Sequence, residues 1–175
     1  MKKAYFLVFG ILVLLTFLAG CFSTVPTPSP TPSCPSDMKE KDFTLPLLNG
    51  GTLTLSDYLG KPVLLTFFTP NCPHCINEAP LLEAAYQKYK DTHEFVVIGV
   101  GYIGGSNIMD LRQFVQNASL THPVLIDTLE TRVYSMYGVS GVPHSFFFNR
   151  CGTIVQEEIG ELTEDKLERY LQKIL

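Results

Sequence analysis

Two cysteines two residues apart, in Cys72-Pro73-His74-Cys75, are the best-placed nucleophiles in this 175-residue sequence. That spacing allows the sulfurs to close a small disulfide, or to let one displace a substrate from the other. An apolar run at residues 63–68 precedes the motif and a helical pattern at 73–89 follows, so Cys72 falls where a strand hands over to a helix. Pro73 then takes the first helical position, where its missing N–H does no harm. Unpaired N–H groups and the positive end of the helix dipole face the Cys72 sulfur and favour its thiolate. His74 adds a donor or, when protonated, a positive charge. The chemistry this predicts is thiol-disulfide exchange, with Cys72 attacking and Cys75 displacing.

Other uses of a Cys-x-x-Cys are half of a structural zinc site or a buried cystine. Zinc takes four ligands, and no second cysteine or histidine pair completes a set. The strand-to-helix setting favours redox use, and so does the oxidising location that an N-terminal secretory signal implies. His93 and His122 sit at element edges and read as surface histidines. Gly99-Val100-Gly101-Tyr102-Ile103-Gly104 matches G-x-G-x-x-G, but it lies in mid-domain and does not open a dinucleotide fold. Asn117-Ala118-Ser119 matches a glycosylation sequon, a signal usually silent in a bacterial-type cell.

The elements around the motif alternate. Runs at 42–45 and 52–55 flank Asn49-Gly50-Gly51, a hairpin signal. Strands follow at 63–68, 95–100 and 124–126, separated by helices at 73–89 and from Ile108, with a short helix at 130–137. A second hairpin joins 145–148 to 153–156 around Asn149 to Gly152, and a last helix starts at Thr163, with Leu162 placed to staple onto Leu167. This order predicts an α/β three-layer sandwich with a mixed central sheet, helices on its faces and an extra N-terminal β-hairpin.

The first residues belong to a different regime. Lys2 and Lys3 precede an apolar run that ends in Leu18-Ala19-Gly20-Cys21, a secretory signal resembling a bacterial lipobox, with Cys21 as the lipidated residue. The run is shorter than the about 20 residues that span a bilayer comfortably. Residues 1–20 are thus expected to be a signal peptide, 21–38 a lipidated tether and 39–175 the folded domain. The tether is rich in Pro, Ser and Thr, and at about 3 Å per residue it reaches some 50 Å or less. The expected location is extracytoplasmic, on the membrane surface. Cleavage would take the formal charge from -4 to about -6, and without a basic field nucleic-acid binding has no electrostatic support.

From residue 42 onward the sequence resembles the TlpA/ResA branch of thioredoxin-like proteins, exported and membrane-tethered thiol-disulfide oxidoreductases within the AhpC/TSA superfamily. The resemblance is carried by Phe43-Thr44-Leu45 with Asn49-Gly50, by Leu55 to Val63, by the Cys72–Cys75 motif, by Tyr137-Gly138-Val139 and by Gly141-Val142-Pro143. It implies a cis peptide bond at Val142-Pro143 opposite the sulfurs. Val142, Pro143 and His144 would then meet an extended substrate segment. Glu78 matches the family's acidic residue beneath the active site, and the position six before Cys72, where thioredoxin carries a buried aspartate, is Thr66. Partial burial of Glu78 would let it move the Cys75 proton.

The resemblance further implies no cofactor beyond the Cys72–Cys75 dithiol, exported protein thiols and disulfides as substrates, a membrane electron donor of the DsbD or CcdA type, and a monomer. Apocytochrome c before haem attachment is the commonest client of such proteins. Pro73-His74 departs from the branch and looks like the dipeptide of the oxidising DsbA group, while the scaffold resembles reductants. Thiolate stabilisation raises the potential, by about 30 mV per 1.4 kcal/mol, and so leans toward oxidation; on the scaffold reduction is favoured, with a DsbA-like oxidant as the alternative. A copper-binding assembly factor, using His144 with Cys72 and Cys75, is the non-enzymatic alternative. A peroxidase would want Pro at position 65, which is Leu. Cys34 and Cys151 remain as accessory cysteines that either pair with each other or stay free.

Overall fold

The computed structural model describes residues 36–104 and 106–175; the expectations for Cys21, Cys34 and residues 1–35 lie outside them. The described chain runs α1 (Asp37–Glu40), β1 (Thr44–Pro46), β2 (Thr52–Thr54), a 3-10 turn (Leu55–Tyr58), β3 (Val63–Phe68), α2 (Pro73–Tyr89), β4 (Val96–Tyr102), α3 (Ile108–Asn117), β5 (Val124–Asp127), α4 (Val133–Met136), β6 (His144–Phe148), β7 (Ile154–Ile159) and α5 (Glu164–Leu171). β1 and β2 form the expected hairpin. The other five strands make one mixed sheet in the order β5-β4-β3-β6-β7. β3 pairs in parallel with β4 and antiparallel with β6.

Alternation along β3 sorts the layers, because successive side chains of a strand point to opposite faces. Val63, Leu65 and Phe67 pack with Leu45, Leu53, Leu55, Val133, Tyr137 and Phe146. On the other face Leu64 joins Leu82, Phe147, Leu167 and Leu171, while Phe68 joins Cys75, Ala79, Leu111 and Phe114. The helices α2, α3 and α5 therefore cover one face, and the hairpin, α1 and α4 cover the other. β3, buried at all six residues, runs through the middle and delivers its C-terminal end to Cys72. The expected three-layer mixed sandwich is what forms.

Several local expectations change. The packed body already includes Met38, fully buried, whose N–H donates to the Gly152 carbonyl at 2.9 Å. Asp37 accepts from the Ile154 N–H at 2.7 Å. This places the first two residues of α1, Asp37 and Met38, on the 149–152 turn, although they fall in the 21–38 stretch expected to be tether. The short helix contracts to Val133–Met136, because Arg132 takes a left-handed conformation at φ 57. His122, expected at the surface, is 5% exposed. The reason lies across the sheet at Gly99: a Cβ there would meet Cε1 of Phe68 at 3.1 Å and Cε1 of His122 at 3.3 Å, so the missing side chain makes room for both rings. Gly99 and Gly101, two of the three glycines in the G-x-G-x-x-G match, are strand residues of β4 where an added Cβ would meet Phe68, His122 or Leu111.

Candidate active site

Helix α2 begins where the sequence places it. Cys72 is its N-cap, Pro73 follows in the first turn, and the Cys72 sulfur accepts the Cys75 backbone N–H at 3.3 Å. A donor is thus already aimed at the sulfur that bears charge as it attacks. Both cysteines are free; Cys72 is half-buried and Cys75 is 2% exposed. Burial pushes the Cys75 thiol far up, and its hydrogen bond with Cys72 adds to the rise. The two sulfurs therefore differ in access, the outer one open to a partner and the inner one sheltered.

The Val142-Pro143 peptide bond is cis, as the resemblance implied. Pairing of Phe67 with His144 sets this turn beside the end of β3. The Cys72 thiol points to the Val142 carbonyl at 3.6 Å. His144, the third residue expected on the substrate side, goes elsewhere. It is 1% exposed, stacks on Phe146 with ring centroids 4.4 Å apart, and places Nε2 2.7 Å from the Glu157 carboxylate. Its place in β6 turns the ring into the sheet layer, and Nδ1 has no hydrogen-bond partner there.

Glu78 lies one helical turn beyond Cys75 on the buried face of α2, 3% exposed. Its Oε1 accepts the Leu162 backbone N–H at 2.8 Å. Burial pushes the carboxyl up to about 7, against the pull of that hydrogen bond and with help from the nearby charge of Glu161. Cys75 and Glu78 line one small cavity with Thr66, Phe68 and His122, of about 10 Å³, room for roughly one water. Thr66 is buried and accepts from the Ser145 hydroxyl at 3.1 Å, so its position carries a neutral hydrogen bond and no acid. An acid-base group near neutrality beneath a sheltered thiol can move that thiol's proton.

The structure adds a contact that sequence reading missed. His74 Nδ1 lies 2.8 Å from the Glu161 carboxylate, 87 residues away. Only the docking of the β7–α5 connection beside α2 brings them together, and local spacing carries no signal of it. Cys151 is in a disulfide; Cys34, whose pairing with it was one of two alternatives, lies outside the described residues.

Residues 37–157 match the model of the AhpC/TSA family. The chain belongs to this family. Within it the chain resembles the thiol-disulfide oxidoreductase ResA of Bacillus cereus, 33% identical over 133 residues that cover 76% of this chain and 75% of the relative. ResA of Geobacillus kaustophilus is 31% identical over 177 residues, 99% of both chains. Among solved structures, DsbE from Chlorobium tepidum superposes with a TM-score of 0.68 at 29% identity, covering 76% of this chain and 92% of that one. MTB DsbF gives 0.68 at 26%, covering 76% and 95%. The AhpC/TSA member described here thus has the thioredoxin-like fold.

Proposed function

We propose that this thiol-disulfide oxidoreductase reduces disulfides of exported proteins from a lipid-anchored position outside the cytoplasm. The observation that carries the reading is the inequality of the two sulfurs: Cys72 half-buried against the Val142 carbonyl, Cys75 and Glu78 buried beneath it. The Cys72 thiolate attacks a substrate disulfide, forming a mixed disulfide and releasing one substrate thiolate. Glu78 takes the Cys75 proton. The Cys75 thiolate then attacks the Cys72 sulfur, closing the Cys72–Cys75 disulfide and releasing the second substrate thiolate, to which a proton returns. The backbone of Val142 and Pro143 receives the extended substrate segment as a short strand.

Recovery of the dithiol takes two electrons from a membrane donor of the DsbD or CcdA type. Clients in the manner of cytochrome c maturation, the paired cysteines of an apocytochrome, fit this role. Anchoring through Cys21 rests on Leu18-Ala19-Gly20-Cys21. No helix among the described residues is long and apolar enough to cross a membrane.

Pro73-His74 supports the opposite direction, an oxidant that donates its disulfide. Equilibration with glutathione separates the two. A potential well below −200 mV supports the reductant, and a value near about −120 mV overturns it. Replacing Cys75 with Ser, expressing the anchored chain and identifying what is held on Cys72 names the client. Recovery of proteins without exported cysteines would argue against the role.

A further inference from the structure

Three consecutive residues between β7 and α5 each hold a different part of the active site. The Gly160 N–H donates to the Pro143 carbonyl at 2.8 Å, the Glu161 carboxylate meets His74 Nδ1 at 2.8 Å, and the Leu162 N–H donates to Glu78 at 2.8 Å. Of the three, only Glu161 brings a charge. That charge stands beside the first turn of α2, where Cys72 uses the positive end of the helix.

We propose that Glu161 is a positioning residue that keeps the dithiol reducing: it holds the His74 ring and offsets positive charge at the start of α2, withholding from Cys72 the stabilisation a free Pro-His dipeptide supplies. The inference rests on the thiol-exchange reading above. The reduced form can carry negative charge on Cys72 and the disulfide form cannot, so an anion nearby disfavours the reduced form and strengthens the protein as a reductant. The same reasoning reconciles Pro73-His74 with a reductant's scaffold. The His74 side chain is 69% exposed and that of Glu161 35%, so solvent screens the pair and its effect is small.

Glu161→Gln tests this well, because the amide keeps the shape and an oxygen for Nδ1 while removing the charge. Wild type, E161Q, H74Q and the double variant are equilibrated with glutathione at pH 7 and low salt, and insulin reduction is measured alongside. E161Q is expected to move the equilibrium about threefold toward the dithiol, roughly 14 mV upward for a two-electron couple. Added salt should shrink the shift, and in the H74Q background it should fall below half on a logarithmic scale. The pH midpoint of the resolving step should also move down in E161Q, since Glu161 helps hold Glu78 up; a purely structural role moves neither readout. E161A, which removes the whole side chain beyond Cβ, should shift the equilibrium in the same direction. An equilibrium unchanged by E161Q, a shift toward the disulfide, or an equal shift with and without His74 overturns the proposal while insulin reduction stays normal. A wild type that neither reduces insulin nor exchanges with glutathione removes the proposal and the exchange reading together.

Discussion

Glu78 on α2 and Leu162 ahead of α5 are joined by a 2.8 Å hydrogen bond from backbone N–H to carboxylate, across 84 residues of sequence. The bond favours the ionised carboxyl, yet burial outweighs it and leaves the group near 7. Glu78 therefore changes protonation in the range where thiol exchange operates. The resolving step should accelerate as pH rises through about 7 in the wild type, because only the carboxylate accepts the Cys75 proton. In Glu78→Gln that rise should disappear and the step should slow by about 100-fold, the low end for loss of a general base. Stopped-flow decay of a mixed disulfide on Cys72 between pH 5 and 9 measures both.

The same burial has a stability cost whose sign can be worked out. The folded carboxyl sits near 7 against an ordinary 4.5, so the folded state binds its proton more tightly and is favoured at low pH. That advantage is lost as pH rises from about 4.5 to 7, amounting to roughly 3 kcal/mol once both states are ionised. Glu78→Gln should therefore gain stability over the wild type at pH 8 and little at pH 5. Urea unfolding of the reduced proteins at the two pH values checks this.

Unequal access predicts unequal alkylation. With Cys75 2% exposed and its thiol pushed up by burial, iodoacetamide at pH 7 should modify Cys72 at least about tenfold faster. Mass spectrometry of the reduced domain after timed quenching gives the ratio. Equal rates would contradict a sheltered inner sulfur.

Gly99→Ala should destabilise by about 1–3 kcal/mol, because the added methyl meets the Phe68 and His122 rings at 3.1 and 3.3 Å. Denaturant midpoints report the loss.

Asp127 is fully buried and accepts the N–H groups of Thr128 at 3.0 Å, Val133 at 3.2 Å and Tyr134 at 2.8 Å. Asp127→Ala leaves the Val133 and Tyr134 donors without their acceptor, while the Thr128 N–H keeps the Thr131 hydroxyl at 2.8 Å, and should cost about 3 kcal/mol. Tyr134 in turn donates its hydroxyl to the Phe68 carbonyl at the end of β3. Amide exchange should therefore speed up in Val133–Met136 and in the loop leading to Cys72.

What the sequence made legible was mostly local or strongly periodic. The apolar run of β3, the boundaries Pro73–Tyr89 of α2 and the Thr163 cap of α5 appear in the structure as read. Glu78, which the resemblance implied beneath the active site, is buried in one cavity with Cys75. The rest depended on partners far away in the chain. His122 is buried because a glycine stands across the sheet, and His144 turns inward because β6 pairs with β3 in one register. Asp127, the last residue of β5, carries no local signal of the backbone donors that α4 brings to it. Glu161 meets His74 only after β7 has been laid down.

The 149–152 turn that receives α1 adjoins Phe148, which pairs with Val63 at the start of β3, whereas Cys72 follows the other end of that strand. Met38 and Asp37 are thus moored at the pole opposite the sulfurs. A pull applied at Ser36 would load this mooring, at the end of β3 remote from Cys72.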